Sequence, residues 1–484
     1  MLELHLPWLE LTIVTPLIGA AVVQLTRDPG AAWRRGLTVT GLTLLMALGA
    51  WEDFQTLHVF EAHDHWDIIT PLLGSEAVVI DELSAPLLPL AALLHFLITL
   101  ATPRTMTARF PLVGALVSET LLLALLACRE PWGIIALLGL MTLPPLLELK
   151  GKRQSTRVFL FHSLLFIIPL AAGWAMIEAA GEGDPPSAAV LMLIAAVLVR
   201  SGSVPVHCWM TDLFERASFG TALLYVTPMA GAYAAVRLAL PVAPDTILHW
   251  LGLVALITAV YAACMALVQK EARRFFCYLF LSHSSLVLVG LEMANPLGLT
   301  GGLCVWLSVG ISLAGFGLTL RALESRTGRL SLADYHGLYP HMPMLAVFFL
   351  LTGLASIGFP GTVGFIGAEL LMEGVIDVYP LIGVAVALAA ALNGIAVLHA
   401  YFRLFTGAEH TASISPASLP NERIAVWILS ALIIGGGLWP QTGVKSRHHA
   451  AVEIIARRPD GASLSPTVDN HELNAVPPPQ PAEH

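Results

Sequence analysis

Arg200 is the residue in this sequence whose chemistry most constrains its surroundings. It stands inside the apolar stretch LMLIAAVLVRSGSVPV. An unpaired charge in hydrocarbon costs at least a few kcal/mol, so Arg200 requires a partner or a water-filled cavity. Because arginine stays protonated at ordinary pH, it cannot release a proton itself, but its charge shifts the protonation of nearby acids and imidazoles. The alternative is that Arg200 extends toward a helix end and contributes only packing.

Side chains that do titrate stand in or beside other apolar stretches. Glu119 lies in LVSETLLLALL and Glu369 lies in GFIGAELL, so we expect both to be buried carboxyls. A carboxyl is ionised beside a cation and neutral in apolar surroundings, and a change between these states loads and releases a proton. The remaining candidates for a proton pathway are His162, His207, Asp212, Tyr225, His283 and Glu148. For a lone membrane histidine, His95 included, the alternative is a hydrogen bond to a carbonyl one turn away.

Two further sets of ligand-type residues carry weaker signals. One is the loop FEAHDHWDII, whose closely spaced side chains offer a metal site or simply a solvated loop: Glu61, His63, Asp64, His65 and Asp67. The other is a set of cysteines without a CxxC pair, which we interpret as small packing residues: Cys128, Cys208, Cys264, Cys277 and Cys304. We therefore expect no metal, no cofactor and no catalytic chemistry in this chain.

The elements that must position these residues are membrane helices. Of 484 residues, 56% are hydrophobic and only 12% are charged, which excludes an ordinary water-soluble globule. Apolar runs of about 18 residues or more predict an all-α integral membrane protein with about 14 transmembrane helices. Alternate loops are rich in Arg and Lys, and the loops between them are acidic or neutral. The positive-inside rule then places both termini on the non-cytoplasmic side of the membrane.

Two of the predicted spans are interrupted by glycine and proline. The interrupting residues are Gly202 and Pro205 in the first span and Gly358, Pro360, Gly361 and Gly364 in the second. Such breaks free backbone groups that only a buried or water-lined site can satisfy. A matched pair predicts two inverted five-helix repeats, at about residues 105–240 and 248–405, with a transport pathway at the breaks. The alternative is a pair of ordinary proline kinks.

The membrane domain is predicted to occupy residues 1–440. The segment that follows, residues 441–484, is predicted to be an extramembrane tail. Residues 443–456 fit a short interfacial helix. From residue 457 onward the segment is rich in proline and polar residues, so we expect disorder there.

Several motifs resemble one membrane family. They are RSGSVPVHCWMTD at residues 200–212, ALLYVTPM at 222–229, VIDELSAP from residue 79, RRFFCY at 273–278 and GFPGTVGF at 358–365. In these motifs the chain resembles the antiporter-like subunits of respiratory complex I, with relatives in Mrp-type sodium/proton antiporters and membrane-bound hydrogenases. The resemblance implies fourteen helices, inverted five-helix repeats and proton translocation along a central polar axis.

Departures from the family pattern coincide with the residues expected to switch charge. Arg200 replaces the lysine of the first broken helix, and Gly139 stands where the family usually has a glutamate. The histidine or lysine of the eighth helix is missing around residues 225–229. The lysine or glutamate after the second break falls at Ala368, one residue before Glu369. The usual glutamate and lysine switch is therefore not intact.

These departures favour a divergent branch, similar to the membrane subunit of the bacterial dissolved inorganic carbon accumulation complex. That branch implies a proton-conducting subunit that energises inorganic carbon (CO2/bicarbonate) uptake by a cytoplasmic-side partner, a zinc carbonic-anhydrase-like protein. One alternative is a proton-pumping subunit of a complex I-like NADH-quinone oxidoreductase or of a hydrogenase. Another is a structural membrane scaffold without transport. Protons, membrane lipid and a partner subunit are the expected interactions, and nucleic acid is not.

Overall fold

The structure is a computed structural model that describes residues 2–57, 59–64, 78–102, 110–181, 183–376, 378–407 and 419–458. These residues are mostly helical. Three short strands, β1 (Leu2–Leu4), β2 (Glu61–Asp64) and β3 (Ile80–Asp81), form a small sheet. Strand β2 lies between the other two, parallel to β1 and antiparallel to β3. We call the side of the bundle that carries this sheet the sheet end.

The helices fall into two groups along the chain. The first group contains α1 (Trp8–Gln24), α2 (Pro29–Leu57), α3 (Leu87–Leu100), α4 (Leu112–Ala127), α5 (Pro131–Leu140), α6 (Leu143–Gly151), α7 (Arg157–Ala180), α8 (Ser187–Ser201), α9 (Cys208–Arg216), α10 (Phe219–Val226) and α11 (Ala230–Ala234), followed by a π-helical turn (Ala235–Ala239). The second contains α12 (Asp245–Val268), α13 (Ala272–Glu292), α14 (Pro296–Thr327), α15 (Pro343–Ser356), α16 (Val363–Ile376), α17 (Pro380–Phe405), α18 (Pro420–Leu438) and α19 (Gln441–Ala456).

Burial separates central helices from peripheral ones. Helices α13 and α14 bury residues on all sides and form the centre of the bundle. Helices α7 and α17 instead turn large apolar side chains outward, among them Phe161, Ile168, Leu381 and Val384. Within the described residues, eight helical segments are long and apolar enough to cross a membrane. The prediction of an all-helical membrane fold is therefore confirmed, whereas the number of fourteen spans stays a prediction.

Charged residues cluster at the two ends of the bundle. At the sheet end, Arg237 on the π-helical turn pairs with Asp81 at 2.5 Å. At the opposite end, Arg273 near the start of α13 pairs with Glu324 at 2.8 Å. Helix α19 lies across the sheet end, where the buried side chain of Arg447 donates a hydrogen bond to the carbonyl of Leu83 at 3.2 Å. Residues 443–456 are therefore helical, as predicted, whereas residues 459–484 lie outside the described part of the chain.

Candidate functional site

The first interruption lies between α8 and α9. Helix α8 ends at Ser201 because Gly202 takes a left-handed conformation with φ of 75°. The Val204–Pro205 peptide bond that follows is cis. The backbone N–H of Val204, freed from the helix, donates to Thr258 Oγ1 of α12 at 3.1 Å. A side chain of a neighbouring helix thus satisfies a backbone group that lipid could not.

Arg200, one residue before the end of α8, lies in a cage of aromatic rings. Its side chain is buried, and its guanidinium carbon lies 4.2 Å from the ring centre of Tyr225 and 5.6 Å from that of Trp209. Nη2 donates to the Tyr225 carbonyl at 3.3 Å, and Trp209 Nε1 donates to the Val199 carbonyl at 2.9 Å. Cation–π contacts of this kind stabilise a desolvated charge by about 2 kcal/mol.

A cavity of about 20 Å³ adjoins Arg200 and is also lined by Ser201 and Ser284. This is room for about one water molecule. Gly231 makes the close packing possible, because an added Cβ would lie 2.5 Å from Ser201 Oγ. Among the described residues, no carboxylate forms an ion pair with Arg200, and its Nε has no hydrogen-bond partner. Rings, a carbonyl and a small cavity therefore surround this charge.

The second interruption lies between α15 and α16 and is built from glycine. Gly358 and Gly361 adopt left-handed conformations with φ of 80° and 84°. Gly364 packs so closely that an added Cβ would lie 2.3 Å from the Ala355 carbonyl oxygen and 2.7 Å from Ser308 Oγ. The break therefore depends on the absence of side chains. Pro360 lies at its exposed edge.

Helix α13 connects the two interruptions through consecutive polar residues. Ser284 lines the Arg200 cavity, while the neighbouring His283 faces the backbone carbonyl of Ser356 at the end of α15. Ser282, the residue before His283, contacts two further helices. Asn393 of α17 donates to Ser282 Oγ at 2.8 Å, and Ser282 donates to the Ala259 carbonyl of α12 at 2.8 Å. We call Ser282, His283 and Ser284 the α13 polar segment. It places a titratable imidazole between a fixed cation and a broken helix.

His283 has one ring nitrogen free to take a proton. Its Nδ1 bonds the Leu279 carbonyl at 2.7 Å, which assigns the proton of the neutral ring to that nitrogen. Nε2 faces the Ser356 carbonyl but lies outside hydrogen-bond geometry with every described residue. Protonation of Nε2 would give the ring a donor aimed at that carbonyl.

Other sequence-predicted histidines and acids lie away from this segment. Glu119 on α4 is fully buried, as expected, and its two oxygens meet no donor in the described part of the chain. His162 bonds the Val158 carbonyl at 2.8 Å and His95 bonds the Ala91 carbonyl at 2.9 Å. For these two histidines, as for Nδ1 of His283, the geometry is that of the alternative, a hydrogen bond to a carbonyl one turn away.

The prediction that Glu369 is buried is wrong. Helix α16 packs against α14 through a row of small residues, Gly364, Gly367 and Gly374, and Glu369 lies on the exposed face. At about 100° per residue, position 369 is rotated roughly half a turn from that row. Glu373, one turn further on, is exposed on the same face.

Glu148 and Asp212 have local structural partners. Glu148 accepts a hydrogen bond from the backbone of Ser218, the N-cap residue of α10, at 2.7 Å, and Lys152 Nζ lies 2.5 Å from its carboxylate. Asp212 pairs with Arg216 one turn later at 2.6 Å.

His207 lies between the two helices of the first interruption. Its ring centre is 5.7 Å from that of Tyr261 and 5.8 Å from that of Tyr278. The ring is therefore held among aromatic side chains at the break, next to the start of α9.

The described residues of the possible metal site have separate partners. Asp64 accepts from the backbone N–H groups of Leu9 and Glu10, at 3.2 and 2.8 Å, and Glu61 pairs with Arg129 at 2.5 Å. His65 and Asp67 lie outside the described residues. In the ranges that the structure describes, no group of three or more His, Cys, Asp or Glu side chains could hold a metal ion. Cys128, Cys277 and Cys304 are buried as packing residues, whereas Cys208 and Cys264 are exposed.

A largely buried network at the sheet end was not predicted from the sequence. Arg237 donates two hydrogen bonds to Asp81, at 2.5 and 2.9 Å, and a third to Tyr233 Oη at 3.0 Å. Burial raises the pKa of Asp81, but the charge and hydrogen bonds of Arg237 outweigh it and lower the pKa to about 2. The available signal in the sequence was an arginine in the apolar run AAVRLALP. Like Arg200, an arginine in such a run needs a partner or a water-filled cavity.

Two interrupted helices, with a buried charge beside one break and a buried imidazole between them, define a polytopic membrane protein with polar groups in its interior. Residues 175–393 match the family described as NADH:quinone oxidoreductase/Mrp antiporter, TM. The match covers a little under half of the chain, and this region is similar to that family.

Curated relatives extend the similarity to nearly the whole chain. The NAD(P)H-quinone oxidoreductase chain 4 3 of Trichormus variabilis is 26% identical over 502 residues, which cover 94% of this chain and 92% of the relative. The NADH-quinone oxidoreductase subunit M of Rickettsia bellii is 30% identical over 275 residues, or 54% of each chain.

Solved structures share the fold. A chain of respiratory complex I from Thermus thermophilus superposes with a TM-score of 0.80 at 24% identity, covering 93% of this chain and 99% of that one. A chain of the Mrp complex from Dietzia sp. superposes with a TM-score of 0.81 at 18% identity, covering 92% and 97%. Both structures are multi-subunit complexes, and at these identities the likeness concerns the fold.

Proposed function

We propose that this chain is the antiporter-like, proton-translocating membrane subunit of a multi-subunit complex of the complex I and Mrp type. It carries no catalytic chemistry of its own. The observation that supports this most strongly is the α13 polar segment, which lies between the two interruptions in the buried middle of that helix. Buried polar residues in a membrane helix are costly, and transport is the common reason for keeping them.

The proposed roles follow from the chemistry of each side chain. Arg200 supplies a fixed positive charge, because its guanidinium does not titrate in the working range. His283 is the group that gains and loses the proton. The hydroxyls of Ser282 and Ser284 can both donate and accept, so they connect the imidazole to the cavity beside Arg200 and to Asn393. Glu119, Tyr225 and His207 are proposed to line side branches of this pathway.

The proposal includes a finer architecture. Fourteen spans, of which α8–α9 and α15–α16 are the broken pair, would form two inverted repeats at about residues 105–240 and 248–405 of a membrane domain ending near residue 440. The sheet end, with both termini, would face the non-cytoplasmic side of a bacterial inner membrane. Support comes from the basic residues of the opposite end, such as Arg273 and Arg326.

A proton-conduction assay tests the proposal. The purified complex is reconstituted in liposomes that trap a pH-sensitive dye, and a membrane potential that drives protons is imposed with valinomycin and a potassium gradient. We expect His283→Ala to slow proton flux by at least about tenfold, the order of effect of removing a proton-transfer group. His95→Ala is the matched control, because His95 is also buried and bonds a carbonyl one turn away. Equal flux in the two variants would contradict the proposal and favour a scaffold without transport.

The exposed carboxylates of Glu369 and Glu373 support a neighbouring membrane subunit. A carboxylate that faces lipid is costly, and a partner with a cationic or hydrogen-bonding side chain would remove that cost. We expect the double variant Glu369→Lys with Glu373→Lys to lower recovery of the complex after gentle solubilisation. Glu130→Lys, an exposed carboxylate at the sheet end, is the control. Unchanged recovery would argue against a partner on this face.

A second candidate function is proton influx that energises a non-redox partner, such as a zinc carbonic-anhydrase-like protein for CO2/bicarbonate uptake. The observation that favours it is Arg200 in the position of the family lysine, caged by rings, since a guanidinium cannot take part in a deprotonation switch. Half-buried Gly139 offers no replacement for the missing glutamate. Co-purification decides: quinone oxidoreductase or hydrogenase subunits support the first function, and a zinc hydratase supports the second.

A further inference from the structure

A second polar site lies at the sheet end, away from both interruptions. A cavity of about 590 Å³ opens between α12, α13 and the start of α17, and α19 covers it with apolar side chains such as Val452 and Ile455. Its size falls within the range of small-molecule sites, about 300–1,000 Å³. The lining of the cavity is mostly apolar, but it includes two titratable residues: Glu292, the last residue of α13, and His249 of α12.

Glu292 is a buried carboxyl with an unused acceptor. Its side chain is only 2% exposed, and in the described residues Oε1 has no hydrogen-bond partner. Oε2 lies 3.7 Å from Nδ1 of His249, just beyond hydrogen-bond distance, and this nitrogen is also buried without a hydrogen-bond partner in the described residues. The His249 side chain is 38% exposed, so it can exchange protons with solvent in the cavity.

The surrounding helices are shaped around this carboxyl. Gly252, one turn after His249, leaves a notch for it, because an added Cβ would lie 1.9 Å from Glu292 Cδ. The nearest cation, Arg458, donates to the carbonyls of Leu291 and Glu292, at 2.7 and 3.2 Å, and so holds the end of α13 rather than the carboxylate. A built slot therefore holds an acid without a direct ion pair.

We propose that Glu292 and His249 form a proton-exchange site that connects solvent at the sheet end with the α13 polar segment. The step is a proton transfer: Nε2 of His249 takes a proton from solvent in the cavity, and the N–H bond at Nδ1 of the resulting imidazolium breaks as an O–H bond forms at the ionised Glu292, once the two side chains close the 3.7 Å between them. Glu292 lies nine residues after His283 on the same helix, about 14 Å along its axis. This inference rests on the proposed function of proton translocation.

Other titratable or charged groups facing the site set its pH response. They are Asp245 of α12, Tyr379 before α17, His448 of α19 and Arg458 after α19. The Tyr379 ring centre is 4.6 Å from that of His249 and holds the imidazole at the cavity wall.

Labelling tests the site without any transport measurement. Dicyclohexylcarbodiimide reacts with protonated carboxyls in apolar surroundings, so we expect peptide mass spectrometry of the treated complex to find Glu292 modified. Modification should decline as the pH rises and vanish in Glu292→Gln, while the exposed Glu130 serves as the unreactive reference. Absence of modification at every pH at which the complex is stable would overturn the proposal.

Proton flux then tests whether the site belongs to the pathway. In the liposome assay we expect Glu292→Gln and His249→Ala each to slow flux by about tenfold. Added imidazole should restore flux to His249→Ala, because the cavity is open to a ring of that size, and it should not restore Glu292→Gln. A merely structural histidine would show no such rescue.

The outcomes separate this inference from the proposed function. Normal flux in Glu292→Gln, alongside slow flux in His283→Ala, would overturn the exchange site and leave the proposed function standing. No proton flux in the unmodified complex would overturn the proposed function, and the exchange site as a part of it, even if Glu292 is labelled.

Discussion

Both helix interruptions contain glycine in a left-handed conformation, but they differ in the side chains around them. The first break contains a cation, Arg200, and surrounds it with aromatic rings and a small cavity. The second break has no ionisable side chain between α15 and α16 and relies on Gly358, Gly361 and Gly364. Its nearest carboxyl, Glu369, points away from the bundle. Interruption of a membrane helix therefore does not itself require a charge.

This difference assigns distinct tasks to the two breaks. Glycine at the second break lets backbones approach until the freed groups are enclosed, which fixes structure. We propose that the charge at the first break serves function, because no carboxylate among the described residues pairs with it. His283 faces the second break, which is built from glycine, and Ser284 faces the first break, which contains Arg200. Helix α13 therefore contacts both breaks through neighbouring residues.

The largest effect is expected from Gly364→Val at the second break. The added side chain would collide with the backbone carbonyl of Ala355 at 2.3 Å, which cannot move aside, so we expect no folded protein after solubilisation. Gly231→Ala at the first break collides mainly with the Ser201 hydroxyl at 2.5 Å, and Ser201→Ala should relieve it. Size-exclusion profiles compare the variants, with Gly435→Ala on α18, where space is open, as the control. Folded Gly364→Val would refute the structural task of this break.

Asp81→Asn comes next, because Arg237, unlike Arg200, is a largely buried arginine that pairs with a carboxylate. Removing one partner of a buried pair costs about 3–5 kcal/mol, so we expect a clear fall in thermal stability. Since the pKa of Asp81 is lowered from 3.8 to about 2 in the folded protein, its contribution is present above pH 3.8 and is lost as the pH falls through about 2. Melting temperatures at neutral and acidic pH check both points. Equal stability of the variant and the parent at neutral pH would contradict this account.

The sequence showed which polar residues would be costly to bury in a membrane, and it was less informative about the tertiary contacts of those residues. Composition and glycine–proline interruptions were enough to predict a helical membrane fold and the positions of both breaks. The orientation of α16 could not be predicted in this way, because apolar residues flank Glu369 on both sides in the sequence. The glycine face of α16 is turned inward by its close packing on α14, which the sequence does not show. Asp81 and Arg237 are 156 residues apart, a pairing that one sequence cannot specify.

Arg200→Met should separate function from structure at the first break. Replacing a buried charge by an apolar side chain of similar volume is often neutral or stabilising, so we expect an unchanged or higher melting temperature. Proton flux should nevertheless fall by about tenfold, equivalent to about 1.4 kcal/mol, since the fixed charge that biases the α13 polar segment is gone. Arg200→Lys, which keeps a cation, is the control. Unchanged flux in Arg200→Met would return Arg200 to a packing role.

Asn393→Leu gives the smallest expected effect and tests whether α13 is held in place from the side of α17. The variant loses the hydrogen bond to Ser282, so we expect about 1 kcal/mol of destabilisation and a modest decrease in flux. Ser282→Ala should produce the same loss, and the double variant should add little, because both remove one interaction. Additive effects on melting temperature would show that Asn393 and Ser282 act separately. The α13 polar segment would then depend on its own helix and the two breaks alone.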